Sequence, residues 1–245
     1  ITNSLYFHKL GTSLKADKLI YKENDNQYNL GIFRSRTKKY LLLDISKTES
    51  NEFRILDLEA ESFDLQCFHG RSKEHLYYID DTPEEFFILS NRNNQKNFAL
   101  YRTDKKNTDE NNWKIFIQHN KKELIENFIC FEDYVILETR KNGLPFLTQV
   151  NKNTKNKSII KFDDPAYSVE LVNNIDYKKK TFTFAYSSLR TPSAIFSQNL
   201  YSQKRKKIWQ QNILNHKEKD YEIKRLFIKA RDGTKIPISL VFKKN

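Results

Sequence analysis

Methionine is absent from the 245 residues of this chain, and glycine occurs only five times. Gly11, Gly31, Gly70, Gly143 and Gly233 give no pair with the spacing of G-x-S-x-G, G-x-G-x-x-G or a phosphate-binding loop. Those motifs need glycine because only a residue without Cβ permits the tight turn or the close backbone approach. Cysteine is equally scarce. Cys67 and Cys130 form no C-x-x-C pair. They fall in different segments and read as free thiols, which fits a reducing cytoplasm. The five histidines are scattered and H-E-x-x-H is missing, so no metal and no cofactor is expected. No apolar run reaches about 18 residues, which excludes a membrane-spanning helix. The first residues show no signal-peptide pattern. With no initiating Met, the chain reads as a piece of a longer protein.

Acid and hydroxyl groups give no catalytic constellation either. Asp80-Asp81 and Asp163-Asp164 stand just before Pro83 and Pro165. They read as turn residues, not as a general acid/base pair. Ser187-Ser188 ends a strand pattern without a glycine elbow. No catalytic residue is expected in this chain, and alone it is expected to be inactive.

Charge is abundant, with 43 Lys and Arg against 31 Asp and Glu for a net charge of +12. Such an excess can signal a nucleic-acid or acidic partner. No recognition helix, zinc knuckle or interleaved Arg-aromatic motif accompanies it. Lysines scattered over solvated loops are the plainer reading, with neither nucleic acid nor membrane as partner.

What the chain does have is a repeat. Tyr40 to Ser46, Glu85 to Asn91, Tyr134 to Arg140 and Thr181 to Ser187 are apolar, β-rich runs whose starts lie 45, 49 and 47 residues apart. Spacing in the forties with several short strands per unit is the signature of a β-propeller blade. A weaker strand precedes each run: Asn29 to Arg34, His75 to Asp80, Leu124 to Phe131 and Ser168 to Val172. Two further strands follow each. The first are Glu52 to Leu58, Asn97 to Asp104, Leu144 to Asn151 and Ser193 to Leu200. The second are Phe63 to His69, Trp113 to Ile117, Ser158 to Phe162 and Lys206 to Trp209. Each unit therefore reads as four strands, A to D, the B strands covered on both faces and the lysine-bearing D strands at exposed edges.

The expected architecture is all-β, a partial propeller. Residues 1–23 form a remnant of C and D strands, blades span 24–70, 71–118, 119–163 and 164–210, and 211–222 is a linker. Residues 223–245 break the period and read as a hairpin around Asp232-Gly233.

Tyr221 to Phe242, with its Arg-Asp-Gly…Pro-Ile-Ser-Leu core, resembles the stretch where the prolyl oligopeptidase family leaves its propeller and enters its α/β-hydrolase domain. Tyr186-Ser187-Ser188-Leu189-Arg190-Thr191-Pro192 is the second specific segment. His8 to Thr12, Phe87 to Asn91, Glu138 to Leu144 and Pro165 to Val169 are supportive. Ser90, where Thr would precede Asn91, is a small departure. Within the family the chain is most similar to oligopeptidase B (protease II). That resemblance implies a seven-bladed propeller gating a serine peptidase that cleaves short peptides after Lys or Arg. Its Ser, Asp and His lie beyond Asn245, so no catalytic residue carries over. The implied partners are short basic peptides, reached through the full enzyme, and the hydrolase domain.

Strands alternate in direction, so B–C loops share a face with D-to-A connections, and the hydrolase domain is expected there. The loops on that face are Lys47 to Asn51, Asn91 to Lys96, Arg140 to Gly143 and Ser188 to Pro192. Arg92, Arg140 and Arg190 are the candidate residues for contacting that domain or gating a peptide. The alternative, a stand-alone propeller scaffold, usually carries Trp-Asp repeats. Trp113 and Trp209 are followed by Lys and Gln.

Overall fold

The computed structural model describes residues 3–60, 62–172 and 174–244. Ile1, Thr2 and Asn245, the extremes of the expected remnant and hairpin, lie outside them. The chain divides into two compact units, residues 1–119 and 120–245.

The first unit opens with a two-stranded antiparallel sheet, β1 (Ser4–Phe7) and β2 (Lys18–Lys22). A four-stranded sheet follows: β3 (Asn29–Arg34), β4 (Tyr40–Lys47), β5 (Ser50–Asp57) and β6 (Gln66–His69). A second comprises β7 (Tyr77–Asp81), β8 (Glu85–Ser90), β9 (Ala99–Asp104) and β10 (Lys114–Ile117). The second unit holds β11 (Leu124–Cys130), β12 (Tyr134–Lys141), β13 (Leu144–Asn151) and β14 (Lys157–Ile159). Its next sheet is β15 (Tyr167–Leu171), β16 (Thr181–Ser188), β17 (Ala194–Asn199) and β18 (Arg205–Gln210). The hairpin β19 (Tyr221–Lys229) and β20 (Lys235–Lys243) closes the chain. Every sheet is an antiparallel meander in chain order, as the repeat requires. The only helical elements among the described residues are three short 3₁₀ turns.

The pleat sends alternate side chains of each B strand to opposite faces. On β4, Tyr40 and Leu42 join Phe53, Phe68, Tyr77, Phe86, Ile88, Tyr101 and Trp113 in a core between the two complete sheets of the first unit. Leu43 and Ile45, one step out of phase, face the other way and pack with Tyr28, Leu5 and Tyr21. In the second unit Phe182, Phe184 and Tyr186 of β16 meet Ile136, Leu147 and Ile160. Phe86 and Phe182 are fully buried, as the blade reading demands.

Sheet edges are kept short or distorted. The C–D pairing slips register at Phe53/Arg54, Ile115/Ile117 and Ile195/Phe196. The remaining D strand, β14, has only three residues. The register slips twist an edge away from foreign pairing, and the short strand leaves few backbone groups free to pair.

Buried polar groups fasten neighbouring sheets. The Asn51 amide donates to the Tyr77 carbonyl at 2.7 Å and accepts from the Tyr77 N–H at 2.9 Å. Tyr77 Oη accepts the Phe53 N–H at 2.7 Å and donates to the His69 carbonyl at 2.5 Å. Burial pushes the Tyr77 phenol well above its ordinary value, so it stays protonated. Arg71 ties the first two sheets: its Nη2 lies 2.6 Å from Glu23 and its Nε 3.3 Å from Glu52. Its guanidinium also sits over the Tyr28 ring. Burial opposes the Glu23 charge, but hydrogen bonds from Arg71, the Asp25 N–H and Tyr21 outweigh it and hold the carboxyl down at about 2.

Three expectations change. Asn51 and Arg140 lie in strands, not loops, because the B–C connections close in two residues: Thr48-Glu49 and Asn142-Gly143. Asn142 and Gly143 have φ of 51° and 73°, the two positive values a type I′ turn requires. Asp80 and Asp81 end β7 and are ion-paired, with Arg36 and Lys105 respectively.

Tyr77→Phe should destabilise the protein by about 2–3 kcal/mol, because it strands a buried donor and a buried acceptor. Urea unfolding followed by fluorescence measures this. The Glu23 contribution is complete above the ordinary carboxylate range and disappears as pH falls through about 2. The urea midpoint should therefore drop across that window, and less so in Arg71→Ala.

Candidate functional site at the junction of blade and hairpin

Among the described residues no group of three or more His, Cys, Asp or Glu could hold a metal ion. A dense polar cluster lies instead in the second unit, where β16–β17 meets the segment leading to β19. It begins with chain geometry. Ser188 N–H donates to the Thr191 carbonyl, and Ser188 Oγ accepts from the N–H groups of Arg190 and Thr191. This tight turn aims Arg190 and Thr191 back over the sheet.

Their common target is Asp164, which is only 4% exposed. Arg190 Nε and Nη2 both lie 2.7 Å from Asp164 Oδ1. The Tyr186 hydroxyl donates to Oδ2 at 3.0 Å, and Thr191 Oγ1 lies 3.3 Å from Oδ2. Burial alone would raise the Asp164 pKa. Hydrogen bonds from Ser188 and Tyr186 and the Arg190 charge overcome it and keep the carboxyl below its ordinary value. Burial and the adjacent carboxylate push the Tyr186 phenol up.

The same loop grips the segment between β18 and β19. Thr191 Oγ1 lies 3.1 Å from Glu218 Oε2, and Gln210 donates to Glu218 Oε1 at 2.8 Å. His216 Nε2 lies 2.7 Å from the Arg190 carbonyl, and the His216 ring stacks on Tyr221. A cavity of about 300 Å³ opens beside Asp164, Arg190, Arg205 and Glu218. The hairpin touches the neighbouring B–C turn as well. Arg225 Nη2 donates to the Asn142 carbonyl. A Cβ at Gly143 would lie 3.5 Å from Pro237 and 3.7 Å from Arg225, so the turn approaches the hairpin closely.

The three candidate arginines fall at separate places. Arg190 is the centre of the junction. Arg140 is on the same blade end, exposed, with Nε 2.7 Å from Glu126. Arg92 belongs to the first unit, where Nε lies 2.8 Å from Glu110 and the guanidinium sits over Tyr101 and Trp113. It borders an open cavity of about 600 Å³, shared with His75, Asn91 and Lys96. Each arginine thus has a carboxylate from its own blade. Sequence reasoning missed Asp164, Glu218, His216 and Arg225. The available signal was the run of donors in Tyr186 to Thr191, which demands a nearby acceptor.

The arrangement orients a connecting segment. Asp164 and Glu218 both border the cavity, and each is held by hydrogen bonds to the 188–191 turn, which fits a positional role.

A family profile described as "Prolyl oligopeptidase, N-terminal beta-propeller domain" matches residues 2–211. Dipeptidyl aminopeptidase BI of Pseudoxanthomonas mexicana is 28% identical over 97% of this chain and 33% of its own length. Protease 2 of Moraxella lacunata is 24% identical over 97% of this chain and 34% of its own length. The structure of oligopeptidase B from Leishmania major superposes with a TM-score of 0.91 at 21% identity, covering 99% of this chain and 36% of that one. Oligopeptidase B from Trypanosoma brucei, closed with covalently bound antipain, gives 0.89 at 24% identity, covering 98% and 36%. These structural likenesses carry the fold. The chain spans about a third of the length of the proteins it matches.

Asp164→Asn should loosen the linker by roughly 2–3 kcal/mol, the worth of hydrogen bonds to a charged group. Hydrogen exchange of residues 211–222 should accelerate by one to two orders of magnitude while β11–β13 stays protected. The folded state favours the Asp164 carboxylate, so its contribution holds above the ordinary value near ~3.9 and declines as pH falls below it. Acid should reproduce the variant.

Proposed function

The chain belongs to the prolyl oligopeptidase family, and from that premise we propose that it is the gating portion of a serine oligopeptidase. The whole protein hydrolyses short peptides after Lys or Arg, as its likeness to oligopeptidase B and protease 2 suggests. The nucleophile, acid and base belong to an α/β-hydrolase domain that starts at residues 223–245, with 211–222 as the linker. The single observation that carries the reading is the junction: Asp164, Arg190 and Glu218 fasten the linker, and Arg225 rests on the Asn142-Gly143 turn. Exposed Leu226, Phe227, Ile236 and Phe242 on the hairpin give an adjoining domain apolar surface to cover. A propeller fixed over a hydrolase admits flexible peptides, rejects folded proteins and excludes water during reaction.

Arg92, Arg140 and Arg190 act at this interface in the same proposal. Arg140 is the best placed to change partner, because an exposed pair such as Arg140–Glu126 holds by only about 0.2–1 kcal/mol. Carboxylates of the hydrolase domain or a peptide C-terminus are its alternative partners.

A second reading of the reaction follows from the relative named a dipeptidyl aminopeptidase. In it the whole enzyme removes dipeptides from free N-termini.

The full-length protein should cleave a fluorogenic peptide ending in Lys or Arg and leave a folded protein of the same composition intact. Equal cleavage of the folded protein would refute the gate. Loss of activity on N-terminally blocked peptides selects the dipeptidyl reading. Arg140→Glu should raise KM several-fold at unchanged kcat, and unchanged kinetics for reversals at all three arginines would remove them from the interface.

A further inference from the structure

The excess positive charge is not spread evenly. Residues 120–245 hold 25 Lys and Arg against 13 Asp and Glu, whereas residues 1–119 hold 18 of each. The whole net charge of +12 therefore resides in the second unit.

Within that unit the strands bring four connections to one end, opposite the junction with the hairpin. They link β11 to β12, β13 to β14, β15 to β16 and β17 to β18. Side chains and backbone lock them together. The Tyr201 hydroxyl donates to Asp133 at 2.6 Å, Lys152 Nζ donates to the Tyr177 hydroxyl at 3.1 Å, and the Leu200 N–H donates to the Lys180 carbonyl at 3.0 Å. The surface so built carries exposed Lys155, Lys178, Lys179, Lys180 and Lys204. Its acids are Glu132, Asp133 and Asp176. Asp133 is occupied by Tyr201, and Asp176 accepts the Lys178 N–H at 3.0 Å. Among the described residues no carboxylate pairs with the ammonium groups of Lys178, Lys179, Lys180 or Lys204. Beside these lysines Ile175 is 73% exposed and Tyr201 47% exposed.

Against the expectation of scattered charge with no membrane partner, we propose that this end of the second unit is a docking surface for an anionic lipid bilayer. The lysines are point charges without the planar fork that reads single phosphates, which suits a diffuse sheet of negative headgroups. An aliphatic tip and a tyrosine inside a basic ring suit the headgroup–acyl boundary. A nucleic acid gives Ile175 nothing to do, and among the described residues of this end the Tyr201 ring meets only the half-buried Tyr134, edge to face. The contact is adsorption, since no helix among the described residues is long and apolar enough to cross a membrane. It lies at the opposite end from Asp164 and Arg190, which leaves the gate free.

The test is co-sedimentation of the full-length protein with vesicles of about 30% phosphatidylserine in phosphatidylcholine. Binding should exceed that to pure phosphatidylcholine at least tenfold and fall steeply between about 50 and 300 mM salt. Neutralising Lys178, Lys179 and Lys180 to Gln should weaken it about a hundredfold. Ile175→Asn should weaken it several-fold without changing the salt dependence. Peptidase activity serves as the folding control for every variant. Equal binding to both vesicle types, an undiminished triple variant, or an Ile175→Asn protein that binds normally overturns the proposal. So does tighter retention on single-stranded RNA than on the anionic vesicles.

Discussion

Each second strand must be buried on both faces, and the rest of the structure follows from that constraint. β4, β8 and β12 put large apolar side chains on alternate sides of the sheet, while β16 puts Phe182, Phe184 and Tyr186 on one side and Thr181, Thr183 and Ala185 on the other. No sheet can cover both of its own faces, so each requires a neighbour. Burial of residues such as Leu43, Ile45, Phe86 and Phe182 therefore supplies stability only when sheets stack. Within each unit the stacking is realised by an aromatic-rich layer, with Tyr77, Phe86 and Trp113 in the first and Phe162, Phe184 and Tyr186 in the second.

Apolar layers attract without specifying register, and polar pins supply it. Asn51 mimics a strand by pairing both amide groups with Tyr77. Gln149 donates to the Leu200 carbonyl at 2.6 Å in the second unit, and Glu138 accepts the Leu171 N–H. Such groups are costly to bury unpaired. A slipped sheet would strand them, which selects one arrangement from many of similar hydrophobic content. Arg71 between Glu23 and Glu52 follows the same logic with charges, where the geometry must be good enough to offset desolvation.

The junction extends this principle from packing to function. A buried carboxylate at Asp164 collects donors from Tyr186 and Arg190, and the same turn holds Glu218 and His216 of the segment between β18 and β19. Force on the linker is thereby transmitted to the sheet through short, charge-assisted bonds.

Much of this was legible in the chain itself. The period of the B strands, the Asp-Gly hairpin and the missing glycine motifs are local in sequence, and periodicity and steric need expose them directly. β3, β13 and β10 appear within a residue or two of their expected bounds. Partners separated along the chain were not legible. Asp164 reads as a turn residue until Arg190, 26 positions away, closes on it. Arg140 reads as a loop residue until a two-residue turn leaves it within β12. Sequence determined the strands and their faces because pleat and spacing are properties of neighbours. Which acid meets which base, only the tertiary structure decided, because those pairings form when distant segments share a sheet.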